Sequence, residues 1–142
     1  MIFEEGLENI YERHRVLAEA THAAVEIWSQ AGTLSLNAIE PKERSTAVTT
    51  ILTDEGVDAN MIRDVCRDEM MVGLGGGLGN LAGRAFRVGH MGDMNAPMLF
   101  AALASIEATF RYLDIKFASG GVTAAIEHVA QSKKVGTGPF SY

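Results

Sequence analysis

The chain has 142 residues, a net charge of −6, 47% apolar residues and 21% charged residues. That is the size and make-up of one globular domain, which buries roughly 68–70% of its extended surface on folding. Non-specific nucleic-acid binding is excluded: displacing counterions needs clustered Lys and Arg, and the only adjacent basic pair is Lys133–Lys134.

A single cysteine, Cys66, leaves no intrachain disulfide. The N-terminal stretch MIFEEGLENIYERHR is acidic and lacks an apolar signal core. The most apolar run, Ala96–Ile106, is too short to cross a bilayer. These features predict a cytoplasmic protein with neither a nucleic-acid nor a membrane partner.

Leu7 to Trp28 reads as a long amphipathic helix. Leu7, Ile10, Tyr11, Leu17, Ala18, Ala24, Val25 and Trp28 recur at spacings of three and four, with His14 and Thr21 on the same stripe. His14 there is expected to be a hydrogen-bonded core histidine. Thr33–Ile39 alternates, with Leu34, Leu36 and Ala38 on one face, and predicts a half-buried strand. Thr46–Leu52 is β-branched and predicts a second strand, antiparallel to the first across the polar turn EPKERS.

Asp58 is placed to cap a helix whose inner face is Ile62, Val65, Cys66 and Met70. Six glycines follow between Gly73 and Gly83, then a strand over Arg84–Gly89. Asp93 or Asn95 caps the next helix, with Pro97 in its first turn. Leu99, Leu103, Ile106, Phe110, Leu113 and Phe117 form its stripe, and Gly120–Gly121 is expected to end it. A last helix over Val122–Ala130 turns Val122, Ile126 and Val129 inward. The order α, ββ, α, ββ, α, α predicts an α+β domain: an antiparallel sheet of three or four strands with helices packed on one face. The domain is expected over residues 1–131, with 132–142 a flexible tail.

The glycine run does not read as a phosphate cradle. No G-x-G-x-x-G register fits, and the run leads into a strand where a helix N-terminus would be needed. The four histidines, His14, His22, His90 and His128, show no metal-ligand spacing, so no metal is expected. Cys66 on an apolar helix face reads as a small hydrophobe. Arg87 is different. With Phe86 and Val88 turned toward the helices, it stands on the open face of the sheet, where its planar fork can take a carboxylate. A structural ion pair is the simpler account of Arg87 on spacing alone.

The stretch LGGGLGNLAGRAFRVGHMGDMNAPMLFAALASIE, Leu74–Glu107, resembles the C-terminal part of class V pyridoxal-phosphate aminotransferases, nearest the serine–glyoxylate and alanine–glyoxylate group. Their pattern is a Gly-rich segment, then Lys/Arg, any residue, an apolar residue, Arg, Ile/Val, Gly, His, an apolar residue, Gly and Asp. Arg84 to Asp93 fit it, as do Gly77, Leu78 and Gly79 in the glycine segment. Glu4–Trp28 and Ser45–Ile62 are similar to the opening helix and the strand–turn–helix of that family's small domain.

The resemblance implies the small domain of a fold-type I pyridoxal-phosphate enzyme. It implies that Arg87 binds the substrate carboxylate, with Gly77, Leu78, Gly79 and His90 as the supporting loop. It implies a homodimer, a small amino acid or 2-oxo acid substrate, and pyridoxal 5'-phosphate held in the complete enzyme. No catalytic residue, cofactor-binding residue or bound cofactor is expected on this chain alone. The family's large domain, with its Schiff-base lysine, is absent from this sequence, and none of Lys42, Lys116, Lys133 and Lys134 matches that motif. The expectation is therefore a C-terminal aminotransferase domain, inactive without its large domain. The alternative is a stand-alone module that binds a small oxo acid or dimerises without catalysis. An isolated small domain should also expose apolar side chains near the first helix and the glycine segment, where the large domain docks.

Overall fold

The computed structural model describes residues 2–132. The tail expected over 132–142 lies, but for Ser132, outside the described residues.

The chain opens with a short helix, α1 (Ile2–Glu5), which no sequence period predicts. Gly6, at φ +82°, turns it into α2 (Leu7–Trp28). The periodicity of α2 is borne out from Val16 onward, where Val16, Leu17, Ala20, Ala24, Val25 and Trp28 are buried. Leu7 and Tyr11, on the same predicted stripe, are instead exposed.

Four strands make one antiparallel sheet among the described residues: β1 (Leu34–Leu36), β2 (Val48–Thr53), β3 (Gly75–Gly76) and β4 (Ala85–Gly89). Their spatial order is β1-β2-β4-β3. In the central pair Ile51 faces Phe86, Thr50 faces Arg87 and Thr49 faces Val88. Residues opposite one another share a face. Ile51, Phe86 and Val88 therefore lie on one face, and they join the helices' buried side chains in a single core. The other face carries Val48, Thr50, Leu52 and Arg87. Helices on one face of an antiparallel sheet make this an α+β fold, as expected.

α3 (Ala59–Asp68) starts at Asp58, whose carboxylate accepts from Asn60 N at 2.8 Å. α4 (Ala96–Tyr112) starts at Asn95, whose side chain accepts from Met98 N at 3.0 Å. Asn95, and not Asp93, is the cap. α4 ends eight residues before the predicted glycine pair. Asp114 takes the left-handed position at φ +54°, Ile115 N bonds back to Phe110 O at 2.8 Å and Asp114 N to Arg111 O at 3.2 Å. That is a Schellman end with aspartate where glycine is usual. Gly120 and Gly121 instead open α5 (Gly121–Gln131). A Cβ on Gly121 would sit 2.2 Å from Trp28 Nε1, so the close approach of α5 to α2 requires glycine. Val129 is buried as predicted, but Ile126, also predicted inward, is 45% exposed, and Ala125 is buried in its place.

Phe110 is the hub of the core. Its ring packs edge-on against Trp28 at 5.3 Å and Phe86 at 6.2 Å. Glu107 accepts from Trp28 Nε1 at 2.8 Å and from Val122 N at 3.2 Å, which ties α2, α4 and α5 together. Phe86, beside Arg87, is thus packed on α4, which is itself tied to α2 and α5.

Candidate functional site: the outer face around Arg87

β4 alternates. Phe86 and Val88 are buried against the helices, and Arg87 between them is half-buried on the other face. The guanidinium of Arg87 lies over the edge strand β3. Its Nε–H donates to Gly76 O at 2.7 Å. The terminal nitrogens make no hydrogen bond or ion pair among the described residues. The structural ion pair that spacing alone favours therefore finds no partner.

The sequence predicts a loop where β3 forms, because a Gly-Gly strand has no side chains to alternate. Gly75 faces Arg87 in the ladder. A Cβ on Gly75 would lie 3.2 Å from Arg87 Cβ and 3.3 Å from its Nε. On the opposite face, a Cβ on Gly76 would lie 3.1 Å from Arg63 Cζ. Arg63, from α3, donates through Nε to Leu74 O at 3.3 Å. Gly77 N donates to Ala85 O at 2.9 Å, so Gly77 points into the ladder and Gly76 points to the free edge. One arginine reaches that edge from each face of the strand.

The residues named for the supporting loop divide. Gly77 is forced by crowding: its Cβ would collide with Leu81 O, because the chain doubles back through a 3-10 turn at Gly79–Leu81. Gly79 takes φ +55°, and Leu78 is 68% exposed. His90 is fully buried on the helix side, opposite Arg87. Its Nδ1–H donates to Thr46 O at 3.1 Å, which makes Nε2 the acceptor for the Thr49 hydroxyl at 2.9 Å. Burial pushes His90 down to about 4, so it is neutral and supports the strand from behind.

Sequence reasoning missed Arg13. It pairs with Glu5 through two bonds of 2.7 and 2.8 Å, and its Nη1 donates to Gly92 O and Met94 O at 2.8 Å each. His14 Nε2 accepts from Gly92 N at 3.1 Å, so it is half-buried and binds the loop instead of entering the core. Together they fix the turn that leaves β4. No sequence signal marks Arg13, whose spacing suits an ordinary exposed helix cation.

Other polar groups are already paired. A cleft of about 360 Å³ beside α2 is lined by Arg15, Glu19, His22, Glu26, Arg44 and His128 among others. Arg44 pairs with Glu26 at 2.6 Å, and Glu19 with Arg15 at 2.6 Å and His128 at 3.2 Å. Cys66 is buried, and burial raises its thiol. Among the described residues no cluster of His, Cys, Asp and Glu could hold a metal, and no helix is long and apolar enough to cross a membrane.

No protein-family model matches the chain. Sequence relatives do. The serine–glyoxylate aminotransferase of Methylorubrum extorquens is 42% identical over 132 residues, which are 92% of this chain and 32% of the relative. The L-aspartate–glyoxylate aminotransferase of Paracoccus denitrificans is 37% identical over the same shares. The crystal structure of ureidoglycine–glyoxylate aminotransferase from Bacillus subtilis superposes with a TM-score of 0.81 at 26% identity, over 92% of this chain and 33% of that one. The chain spans about a third of the length of the relatives it matches. In sequence and in fold it is a homologue of the small domain of class V pyridoxal-phosphate aminotransferases of the serine–glyoxylate and alanine–glyoxylate type.

Proposed function

We propose that this chain is the substrate-carboxylate-binding domain of a pyridoxal-phosphate aminotransferase that uses glyoxylate or a similar small 2-oxo acid. One observation carries the reading: Arg87, in the family's motif, presents two terminal nitrogens that are unpaired among the described residues, on the sheet face that no described helix covers. A fork of two parallel N–H donors matches a carboxylate, whether of the amino donor or of the oxo acid. The relatives differ in amino donor, namely serine, aspartate and ureidoglycine, and share glyoxylate as acceptor. A binding group on this domain should then serve what the substrates have in common, the carboxylate.

The cofactor would supply the electron sink that lets an amino group be transferred. The described residues do not build a place for it. Lys42 lies on the turn between β1 and β2 and Lys116 between α4 and α5, both exposed and off the sheet. We therefore assign the cofactor to the family's large domain, outside the described residues. Exposed Leu7 and Tyr11 on α2, with Met71 and Leu78 flanking β3, support a docking face for that domain. Homodimerisation and the cytoplasm belong to the same proposal.

The test is Arg87→Ala in the assembled enzyme, meaning this chain together with its large domain. Two charge-assisted bonds of about 1.5–3 kcal/mol each predict a fall in kcat/KM of about 10²- to 10⁴-fold. Arg87→Lys should recover only part, since an ammonium offers no planar fork. Unchanged kinetics in Arg87→Ala would sink the reading.

A further inference from the structure

We propose that β3 is the positioning element for Arg87, and that it commits the ligand carboxylate to an end-on grip by Nη1 and Nη2. The inference rests on the carboxylate reading above and adds the geometry of the grip. A guanidinium can offer a carboxylate two different edges. The side edge uses Nε and one terminal nitrogen; the end uses both terminal nitrogens. Here Gly76 O already holds Nε at 2.7 Å, so only the end remains.

Gly75 makes this possible. The Arg87 side chain lies across its bare Cα, where a Cβ would come within 3.2 Å of Arg87 Cβ, 3.3 Å of Nε and 3.5 Å of Nη2. The backbone at Gly75 does not take positive φ, so alanine there strains nothing but the arginine. Gly76 serves as an internal control. Its added Cβ would press on Arg63 from the other face and leave its carbonyl where Arg87 needs it. The two glycines look alike in sequence and separate cleanly in effect. Gly75 and the Gly76 carbonyl act through Arg87 and are positioning groups.

The first measurement is NMR of the arginine Nε–H groups in the 142-residue chain. Arg84 is the reference, because it is exposed and makes no side-chain hydrogen bond among the described residues. Arg87 Nε–H should exchange with solvent at least about tenfold more slowly than Arg84 Nε–H, as one intact hydrogen bond requires. Gly75→Ala should reduce that protection and Gly75→Val abolish it. Gly76→Ala should retain it. Amide shifts of β4 report whether each variant is folded, and Gly75→Ala keeps the test decisive should Gly75→Val fail to fold.

The second measurement is kinetic, in the assembled enzyme. An arginine pushed off its rotamer predicts a KM for the oxo acid raised about tenfold in Gly75→Ala. kcat should stay within about twofold. Arg87 Nε–H exchanging as fast as Arg84 Nε–H would overturn the positioning role. So would an unchanged KM for the oxo acid in Gly75→Ala. Either result leaves the carboxylate reading standing if Arg87→Ala still cripples the enzyme; only an innocuous Arg87→Ala removes both.

Discussion

The two faces of β4 differ in how completely their groups are engaged. On the helix side Phe86 and Val88 are buried, and His90 beyond them has both ring nitrogens bonded. On the other side Arg87 spends one of its nitrogens on Gly76 O and, among the described residues, keeps the terminal pair free. Five consecutive residues thus split two duties by parity. On the proposed reading stability is stored on one side and recognition on the other, so each should be changeable without the other.

The sharpest attempt to break that division is Phe86→Ala. It empties the junction of β4 with Phe110 and should cost about 3–5 kcal/mol by denaturant unfolding. Next comes Arg87→Ala, judged on stability instead of turnover. It removes no core contact but does remove the Nε–H bond to Gly76 O, so unfolding should shift by only about 1 kcal/mol while kcat/KM collapses. A loss of several kcal/mol from Arg87→Ala would mean that the outer face also holds the fold.

His90 sharpens the comparison through pH. Its folded acidity lies near 4, below the ordinary 6.5, because burial disfavours the cation; His22 and His14, facing it from α2, act in the same direction. The unfolded chain therefore binds the proton first. The stability that neutral His90 provides is complete above about pH 6.5 and is lost as pH falls toward 4. A shift of this size amounts to roughly 3 kcal/mol. His22, also lowered by burial, adds with the same sign. The imidazole resonances of His90 should remain neutral at pH 5.5. Titration near 6.5 would show that the inner face is wetter than its packing.

Much of this architecture is legible in the sequence alone. The spacing of Leu17, Ala24, Val25 and Trp28 marks α2, Asp58 marks the cap of α3, and the cap of α4 is narrowed to Asp93 or Asn95, because helix period and capping are local properties of sequence. The glycine segment is not legible as a strand. Gly75 and Gly76 carry no side chains, so their pairing with β4 emerges only once Arg87 and Phe86 stand opposite them. The end of α4 is hidden for a related reason: Asp114 occupies a backbone region in which glycine is the expected marker. At the site, alternation places Arg87 on the open face, but only the resemblance ties it to a carboxylate. The role of Arg13 depends on a loop about eighty residues away in sequence, which no local pattern encodes.

The smallest predicted effect tests the division most closely. Thr50 stands opposite Arg87 on the same face, and its hydroxyl makes no hydrogen bond among the described residues. A threonine beside an arginine invites a role in holding the ligand. Yet the guanidinium turns the other way, over β3, where Gly76 O holds it. Valine keeps the branched shape that suits a strand. Thr50→Val should therefore change unfolding by less than about 0.5 kcal/mol and kcat/KM by less than about twofold. A marked rise in KM would place the carboxylate between β2 and β4. The fork would then have to swing away from Gly76, and the free terminal nitrogens would belong to a mobile arginine and not to one held ready.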